Sequence, residues 1–278
     1  MKKKLFRWLK IFILFYCVIG IAIYYGQNGL LFHPQVVDRH LKYDLGAPYR
    51  EVNLSYDKET NLNILQIRAD STSTADTTHR GDTTRGVVLY FHGNKNNSAY
   101  YAASTRGFTR KGYEVWMLDY PGFGKSTGRL TEENLYKYAL VFYKLARSRW
   151  SPGQIIICGR SLGTGVAAQL ASVRDCRRLI LESPYYSLTS LAQHYAPIYP
   201  VRQMLHYHFP TNEFLKEVTA PVTIFHGDRD GLIPYSNSVR LKALLKGGDE
   251  LITIEGAGHN DLTESPFFQQ KLDSVLSQ

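Results

Sequence analysis

The feature that most constrains the fold of this chain is a series of short apolar runs separated by helical stretches. Strands that are covered on both faces are rich in Val, Ile and Leu without strict alternation. Runs of this kind lie at Val87–Phe91, Tyr113–Leu118, Gln154–Cys158, Leu179–Leu181, Val222–Phe225 and Leu251–Ile254. Helices are predicted between or after them at residues 131–147, 161–172, 236–246 and 264–276. The alternation predicts an α/β fold, with a mainly parallel sheet and helices on both faces.

Composition and charge exclude several classes of protein. The chain has 278 residues, 44% of them hydrophobic and 21% charged, which is ordinary for one globular domain plus an anchor. The net charge is +9, but a basic cluster within residues 2–10 supplies about half of it, and no basic stripe is interleaved with aromatic residues. No nucleic-acid partner is therefore predicted. The three cysteines form neither a disulfide framework nor a metal-ligand pattern, so we expect no metal and no cofactor.

The N-terminal segment predicts one transmembrane helix. Every residue from Ile11 to Tyr25 is apolar, aromatic, Cys or Gly, and about 20 such residues span a bilayer core. A cleaved signal peptide and a buried core helix are the alternatives, but bulky residues flank Ala22 where a cleavage site needs small ones. We therefore expect residues 1–30 to form a basic tail and anchor, and residues 31–278 to form the folded domain. Because basic residues precede the anchor, the N-terminus should be cytoplasmic and the domain extracytoplasmic.

Three further segments fall outside the main alternation. Residues 51–56 and 62–68 alternate as a hairpin does. Residues 69–86 are rich in Ser, Thr, Asp and Gly with few large apolar side chains, which predicts a mobile loop. Residues 185–217 concentrate Tyr, Phe and His between two core strands. They are predicted either to form a short helical lid that roofs an apolar pocket or to form a cap whose aromatic residues only pack on one another.

The sequence Gly159-Arg160-Ser161-Leu162-Gly163 points to a nucleophile. It follows the apolar run that ends at Cys158 and opens a helix rich in Ala and Gly. In that context a G-x-S-x-G turn is tight, and it exposes the serine oxygen at the edge of the sheet. A purely structural turn serine is the alternative. We predict that Ser161 is the nucleophile.

A serine hydroxyl needs a base, and the base needs a carboxylate that orients it. In this type of fold both follow the serine along the chain, each on a loop after a strand. His259 comes after the run Leu251–Ile254, with small residues before it, and is the predicted base. Asp230 and Asp228 both follow Val222–Phe225; Asp230 lies further along the loop and is the predicted carboxylate. Asp228 is expected to be a turn residue that holds the backbone of its own turn.

Catalysis by such a triad also needs two N–H donors for the developing oxyanion. One should be the N–H of Leu162, directly after the nucleophile. The other should come from the loop after Val87–Phe91, where Phe91-His92-Gly93-Asn94 forms a turn of small residues, and Asn94 is the predicted donor.

With these residues assigned, the sequence resembles the alpha/beta-hydrolase family, and within it a membrane-anchored branch. The resemblance covers the chain from about residue 30 to its end and rests on four stretches in order: Phe91–Asn94, Asp119–Ser126, Gly159–Gly163, and His226–Asp230 with Gly258-His259 after it. It implies an eight-stranded sheet and an acyl-enzyme mechanism. Similar sequences include esterases, depalmitoylating thioesterases and peptidase-like enzymes. The polar loop 69–86 departs from the family pattern.

The resulting hypothesis is a serine hydrolase that cleaves carboxylic esters or thioesters of small-molecule or lipid-like acyl substrates. A serine peptidase and an acyltransferase would use the same residues. A non-catalytic, membrane-tethered binding module is the alternative from another class, since a fold alone does not guarantee activity.

Overall fold

The structure is a computed structural model and describes residues 2–70 and 84–278. Most of the polar stretch predicted as a mobile loop, residues 69–86, lies outside the described residues. Residues 84–86 belong to the described part of this stretch: Arg85 donates its N–H to Gly112 O, and Gly86 begins a strand.

The described residues contain one large sheet and one short strand pair. The strands are β1 (His33–Pro34), β2 (Tyr49–Ser55), β3 (Asn61–Ile67), β4 (Gly86–Phe91), β5 (Lys95–Asn96), β6 (Tyr113–Leu118), β7 (Ile155–Arg160), β8 (Arg178–Glu182), β9 (Val222–Gly227) and β10 (Glu250–Ile254). The large sheet has eight strands in the order β10-β9-β8-β7-β4-β6-β3-β2. Only the pairings of β3 with β2 and with β6 are antiparallel. The predicted mainly parallel, eight-stranded α/β sheet is confirmed.

The helices of the described residues include those that cover both faces of this sheet. They are α1 (Lys2–Leu31), α2 (Ser98–Tyr101), α3 (Arg106–Arg110), α4 (Glu132–Arg147), α5 (Gly163–Val173), α6 (Leu188–Tyr195), α7 (Val201–Met204), α8 (Thr211–Glu217), α9 (Ser236–Lys242) and α10 (Pro266–Ser277). The side chain of Thr131 caps α4 by accepting the N–H of Asn134. Helix α5 begins two residues later than predicted, because Ser161 and Leu162 form the turn that leads into it.

The hydrophobic core divides at the sheet, as the pleat requires. In β4, Val87, Leu89 and Phe91 pack on the face that α4 and α5 cover, and Val88 and Tyr90 pack on the face of α3 and α10. All five side chains are fully buried. Both faces of a parallel strand are therefore covered, which explains why its sequence is a continuous apolar run.

Helix α1 precedes the sheet, and its 30 residues are long and apolar enough to cross a membrane. Its last turn is attached to the domain, because β1 pairs with β5, and Asn94 Nδ2 donates to Leu31 O at 2.8 Å. Gln27 is the buried residue of α1. The helix therefore ends against the loop that follows β4.

The aromatic segment 185–217 forms α6, α7 and α8, of which α8 packs on α5. Tyr185 Oη donates to Leu162 O at 3.0 Å, and Phe209 lies against Gly165, where a Cβ atom would come within 2.8 Å of the Phe209 Cβ. Tyr185 and Phe209 are fully buried. Much of the aromatic surface of this segment is thus used to cover α5 rather than to face solvent.

Candidate active site

Ser161 lies at the sharp turn between β7 and α5. Its backbone has φ of 51°, in the left-handed region that a non-glycine residue rarely adopts. Gly163 lets the turn lie on the neighbouring strand, because a Cβ atom there would be 2.0 Å from Phe91 O. The Ser161 N–H donates to Glu182 O at 2.9 Å and holds the turn against β8. The predicted strand, turn and helix context of Ser161 is therefore present.

The structure brings Ser161, His259 and Asp230 together. His259 Nε2 lies 3.0 Å from Ser161 Oγ, and His259 Nδ1 lies 2.7 Å from Asp230 Oδ2. If Nδ1–H donates to the carboxylate, Nε2 is left as the acceptor for the serine hydroxyl. The three side chains then form a continuous hydrogen-bonded relay. Their catalytic role remains a prediction.

Asp230 is fixed by hydrogen bonds to both of its oxygen atoms. Oδ1 accepts the N–H groups of Leu232 and Ile233 at 2.9 and 2.8 Å, while Oδ2 faces His259 and lies 3.2 Å from His226 Nε2. Burial by itself would raise the pKa of Asp230, but hydrogen bonds from His226 and His259 outweigh burial and hold its pKa well below the usual value. The carboxylate therefore stays ionised beside the imidazole.

His226 and Asp228 lie near the relay in other roles. His226 Nε2 lies 2.9 Å from Ile233 O, and its Nδ1 lies 2.6 Å from Ser238 Oγ, so the fully buried ring supports the loop of Asp230. Asp228 Oδ1 accepts the N–H of Gly256 at 2.7 Å. Asp228 thus holds the turn that precedes His259, whereas the sequence had suggested that it holds its own turn.

The two predicted oxyanion donors are Leu162, which follows Ser161 in the turn, and Asn94, which lines the same cavity as Ser161. Glycine is required at position 93 by Tyr101, since a Cβ atom there would lie 2.7 Å from Tyr101 Oη. The side chain of Asn94 donates to Leu31 O, so it is directed toward α1, and the backbone N–H of Asn94 is the candidate donor to a substrate. Within the described residues, neither this N–H nor that of Leu162 donates to a protein acceptor. Both are available for the role predicted for them.

A cavity of about 600 Å³ opens at Ser161 and His259. This volume is in the range of small-molecule sites. Its wall includes Tyr100, Tyr101, Ala103 and Leu232 as apolar groups, but most of the other lining side chains are polar or charged. Among the described residues, the lining includes none from 185–217. The apolar roof expected from that segment is therefore not seen in this cavity. Of its aromatic side chains, Tyr185 and Phe209 pack on α5 and Tyr199 packs on α1.

Arg160, the residue before Ser161, is a further part of the candidate site that the sequence does not predict. It lines the cavity and is 7% exposed. Its guanidinium donates to Asn260 O at 3.0 Å, to His259 O at 3.4 Å and to Thr263 Oγ1 at 3.4 Å. These contacts bind the nucleophile turn to the histidine loop. A charged residue at the end of an apolar strand was the only signal in the sequence.

No group of three or more His, Cys, Asp or Glu side chains among residues 2–70 and 84–278 is placed to hold a metal ion.

The sheet order and the serine turn define the class of the chain as the alpha/beta-hydrolase fold. The family described as serine aminopeptidase, S33, matches residues 82–214. That match includes the turn of Ser161 and ends before Asp230 and His259.

Curated relatives agree with this class. The chain is 31% identical over 198 residues to alpha/beta hydrolase domain-containing protein 17C of Xenopus tropicalis, a match that covers 69% of this chain and 62% of the relative. It is 32% identical over 177 residues to an uncharacterised protein of Mycobacterium tuberculosis, covering 63% of each. The chain thus spans less than two thirds of the length of these relatives.

Solved structures share the fold at lower identity. A Pyrococcus furiosus esterase has a TM-score of 0.64 at 18% identity, with 89% of this chain and 96% of that chain covered. A CIB-like hydrolase from Thermoplasma acidophilum has a TM-score of 0.58 at 20% identity, with 84% of this chain and 100% of that chain covered. The chain therefore has the alpha/beta-hydrolase fold that these structures share.

Proposed function

We propose that the chain is a membrane-anchored serine hydrolase that cleaves carboxylic esters or thioesters of acyl substrates. The observation that carries this proposal is the relay of Ser161, His259 and Asp230, with contacts of 3.0 and 2.7 Å, at the mouth of a cavity. A serine with a hydrogen-bonded base and an ionised carboxylate behind it is the arrangement that acyl transfer requires.

In the proposed first step, Ser161 Oγ attacks the acyl carbonyl carbon while its proton passes to His259 Nε2. A bond forms between Oγ and the carbon, and the carbonyl oxygen becomes an oxyanion that accepts hydrogen bonds from the N–H groups of Leu162 and Asn94. The oxyanion then collapses, the bond to the leaving oxygen or sulfur breaks, and His259 returns its proton to that atom. The acyl group is left on Ser161.

Water completes the cycle by the same route. It gives a proton to His259 Nε2 and its oxygen adds to the acyl carbon, after which the bond to Ser161 Oγ breaks and the serine regains its proton. Asp230 stays ionised throughout and stabilises the imidazolium that forms in each half-reaction. Its pKa, held low by His226 and His259, is consistent with that role.

An aminopeptidase is the second candidate, favoured by the description of the matching family. An aminopeptidase must hold the α-ammonium group of its substrate, and a carboxylate in the pocket serves that purpose. The cavity here is lined by Lys95 and Arg160 and by one carboxylate, Glu264. Because like charges repel in a partly enclosed site, an excess of cations disfavours an ammonium group. Esters and thioesters are therefore the preferred substrates.

Membrane anchorage is the other half of the proposal. The apolar run of α1 is exposed in the structure, with none of its most apolar 18-residue window buried. A helix of soluble protein would normally bury such a surface. The basic residues before it favour a cytoplasmic N-terminus and an extracytoplasmic domain.

The test is activity-based labelling of the full chain with a fluorophosphonate, followed by assays on acyl nitrophenyl esters and thioesters. Ser161→Ala should abolish both labelling and turnover. Ser183→Ala is the matched control, since Ser183 is also buried at the end of a strand, also has a positive φ, and lies outside the relay. Labelling that persists in Ser161→Ala would refute the assignment of the nucleophile.

A further inference from the structure

The segment between α6 and α7 is attached to the side of α1. Tyr199 stacks on Tyr16 with ring centroids 4.6 Å apart. Tyr16 Oη donates to Ile198 O at 3.0 Å, and Tyr199 Oη donates to Tyr16 O at 3.1 Å. Gly20 makes room for this contact, since a Cβ atom there would lie 3.1 Å from Tyr199 Cε1. Residues 196–201, with sequence Ala-Pro-Ile-Tyr-Pro-Val, are called the proline tip below.

The contact fixes the depth of the proline tip if α1 spans a membrane. Tyr24 and Tyr25 end the apolar run, and Gln27 is buried in the domain, where it bonds to Met204 O and to the N–H of His206. The bilayer surface should therefore lie near Tyr25. Gly20 and Tyr16 precede Tyr25 by five and nine residues, which places them about 8 and 14 Å deeper along the helix axis. Tyr199 contacts both.

The backbone of the proline tip is suited to an apolar medium, where each unpaired polar group is costly. The carbonyl oxygens of residues 196–200 all accept hydrogen bonds, from Tyr199 N, Gln193 Nε2, Tyr16 Oη, Val201 N and Gln203 N respectively. Pro197 and Pro200 have no N–H to satisfy. Within this described segment, only the Ile198 N–H lacks a partner.

The side chains of the proline tip and of its neighbours also suit the environment of a bilayer. Ile198 is 66% exposed although it is apolar, and the neighbouring Tyr195 is 56% exposed. Residues 188–212 contain no Asp or Glu, and their one arginine, Arg202, is exposed. A basic or neutral rim around an apolar tip matches the headgroup region of a bilayer, where acidic side chains would be repelled by anionic lipids.

We propose that the proline tip inserts into the lipid bilayer alongside α1. The partner of this surface is the acyl region of the membrane, and Arg202 lies at headgroup level. Tyr195 Oη donates to Leu232 O at 2.8 Å, and Leu232 lines the active-site cavity, so the inserted segment is bonded to the rim of that cavity. The mouth of the site is thereby held at the membrane surface. This inference rests on the proposed spanning role of α1, and the experiment separates the two.

The experiment uses the full chain in vesicles of phosphatidylcholine and phosphatidylglycerol, in a Cys17→Ala background. An environment-sensitive fluorophore is attached to Ile198→Cys, Leu14→Cys or Val173→Cys, and quenching by nitroxide-labelled acyl chains is compared with quenching by aqueous iodide. The native Cys158 is buried, and burial raises the pKa of Cys176 to about 12, so neither should react. Val173 is an exposed apolar control at the end of α5 remote from Ser161.

Lipid quenching at position 198 comparable to that at position 14, with iodide quenching at position 173, would support insertion. Iodide quenching at 198 with lipid quenching at 14 would overturn insertion and leave the spanning helix intact. Protection of 198 from both quenchers would mean that protein covers it, a second copy for example, and would also overturn insertion. Absence of lipid quenching at 14 would refute the spanning helix and insertion together.

A paired substitution tests the role of α1 in holding the tip. Gly20→Leu should displace Tyr199 and reduce lipid quenching at 198. Gly26→Leu adds the same side chain to the same helix. A Cβ atom at position 26 would have no atom within 4 Å apart from its chain neighbours and the backbone of its own helix, so this variant should leave quenching unchanged. Equal quenching in both variants would show that the contact with α1 does not set the depth of the tip.

Discussion

Asp228 and Gly256 are joined by a hydrogen bond of 2.7 Å, from the Gly256 N–H to Asp228 Oδ1. This bond links the loop of Asp230 to the loop of His259, but it leaves Asp228 outside the relay. Gly256 has φ of 74°, so the turn that Asp228 holds is one that favours glycine. The two neighbouring aspartates therefore have separable roles, one facing the imidazole and one facing backbone.

We predict that Asp230→Asn lowers kcat by about ten-thousand-fold, because an amide cannot hold the tautomer and charge of His259. Asp228→Ala should lower kcat far less, since it removes one backbone contact of a turn. Steady-state kinetics on a nitrophenyl ester measures both. A larger loss in Asp228→Ala, in a variant that remains folded, would contradict the assignment of the carboxylate.

Ser161→Ala should reduce kcat by about a million-fold, because without the nucleophile only oxyanion binding and proximity remain. His259→Ala should cost about as much, since the two residues act as a unit. Single-turnover assays with pure protein measure these values. A His259 variant that keeps most of its activity would show that another base serves Ser161.

Arg160→Lys should lower kcat by up to about a hundredfold, as expected when reacting groups are displaced by about 1 Å. Arginine reaches Thr263 Oγ1 with Nη1 and the carbonyl oxygens of His259 and Asn260 with Nη2, whereas lysine has a single ammonium nitrogen and no planar fork, so the histidine loop should shift relative to Ser161. Arg178→Lys is the matched control, because Arg178 is also a buried arginine on a strand but lies at the amino end of β8, whereas Arg160 lies at the carboxyl end of β7. An equal loss in both variants would indicate a general effect on folding instead of positioning.

Acid should destabilise the fold through His92. Burial lowers the pKa of His92 to about 4, whereas an unfolded histidine has a pKa of about 6.5. Between these values the unfolded chain binds the proton and the folded chain does not, so stability falls as the pH falls from 6.5 to 4, by at most about 3 kcal/mol. Burial also raises the pKa of Asp119 to about 6, which acts in the opposite direction.

A His92→Gln variant removes the histidine contribution and keeps Asp119, whose Oδ1 lies 3.7 Å from His92 Nε2. The melting temperature of His92→Gln should fall less between pH 6.5 and 4.5 than that of the unchanged chain. His40→Gln removes an exposed histidine and should behave as the unchanged chain does. If the two melting curves shift equally with pH, His92 is not held neutral in the fold.

The strands that the sequence predicted correctly carry local signals, since the apolar runs of β4 and β7 reflect burial on both faces. The proximity of Ser161, Asp230 and His259 could also be anticipated, because the serine stands in a short turn pattern and the other two follow strands in a known chain order. Their catalytic role stays a prediction. Arg160 and Asn260 are 100 residues apart, and Tyr16 and Ile198 are 182 apart. Contacts at such separations leave no periodic trace, which is why the role of Arg160 and the docking of residues 196–206 on α1 were not predicted.

The lack of a sequence signal for long-range contacts also explains why a roof over the pocket was expected but is not seen. Aromatic residues within 185–217 indicate buried surface, but they do not say which surface is covered. Tyr185 and Phe209 cover α5, and Tyr199 covers α1. Tyr207 packs on Phe32, and Phe214 packs on Tyr136 of α4. The partition of aromatic side chains between neighbours is decided by tertiary packing alone.

Orientation in the membrane can be tested with vesicles of defined sidedness. If the basic N-terminus stays in the cytoplasm, protease added to right-side-out vesicles should digest the domain of residues 31–278, and inside-out vesicles should protect it. An N-terminal epitope tag should show the reverse accessibility. Protection of the domain in right-side-out vesicles would reverse the proposed topology.

The final prediction concerns the choice between ester and amide substrates. The residues that line the cavity beside Ser161 include two cations, Lys95 and Arg160, and one carboxylate, Glu264. An uncharged acyl chain should therefore bind with less electrostatic cost than an aminoacyl group, which carries an ammonium charge. We expect acyl nitrophenyl esters and acyl thioesters to have higher kcat/KM than aminoacyl or prolyl amides with the same leaving-group assay. Capping the amine of the amide substrate should raise its kcat/KM and so reduce the difference from the esters, because the cap removes the charge without changing the scissile bond. Efficient cleavage of free aminoacyl amides with negligible ester turnover would replace the esterase proposal with an aminopeptidase, and would leave Ser161, His259 and Asp230 in their proposed roles.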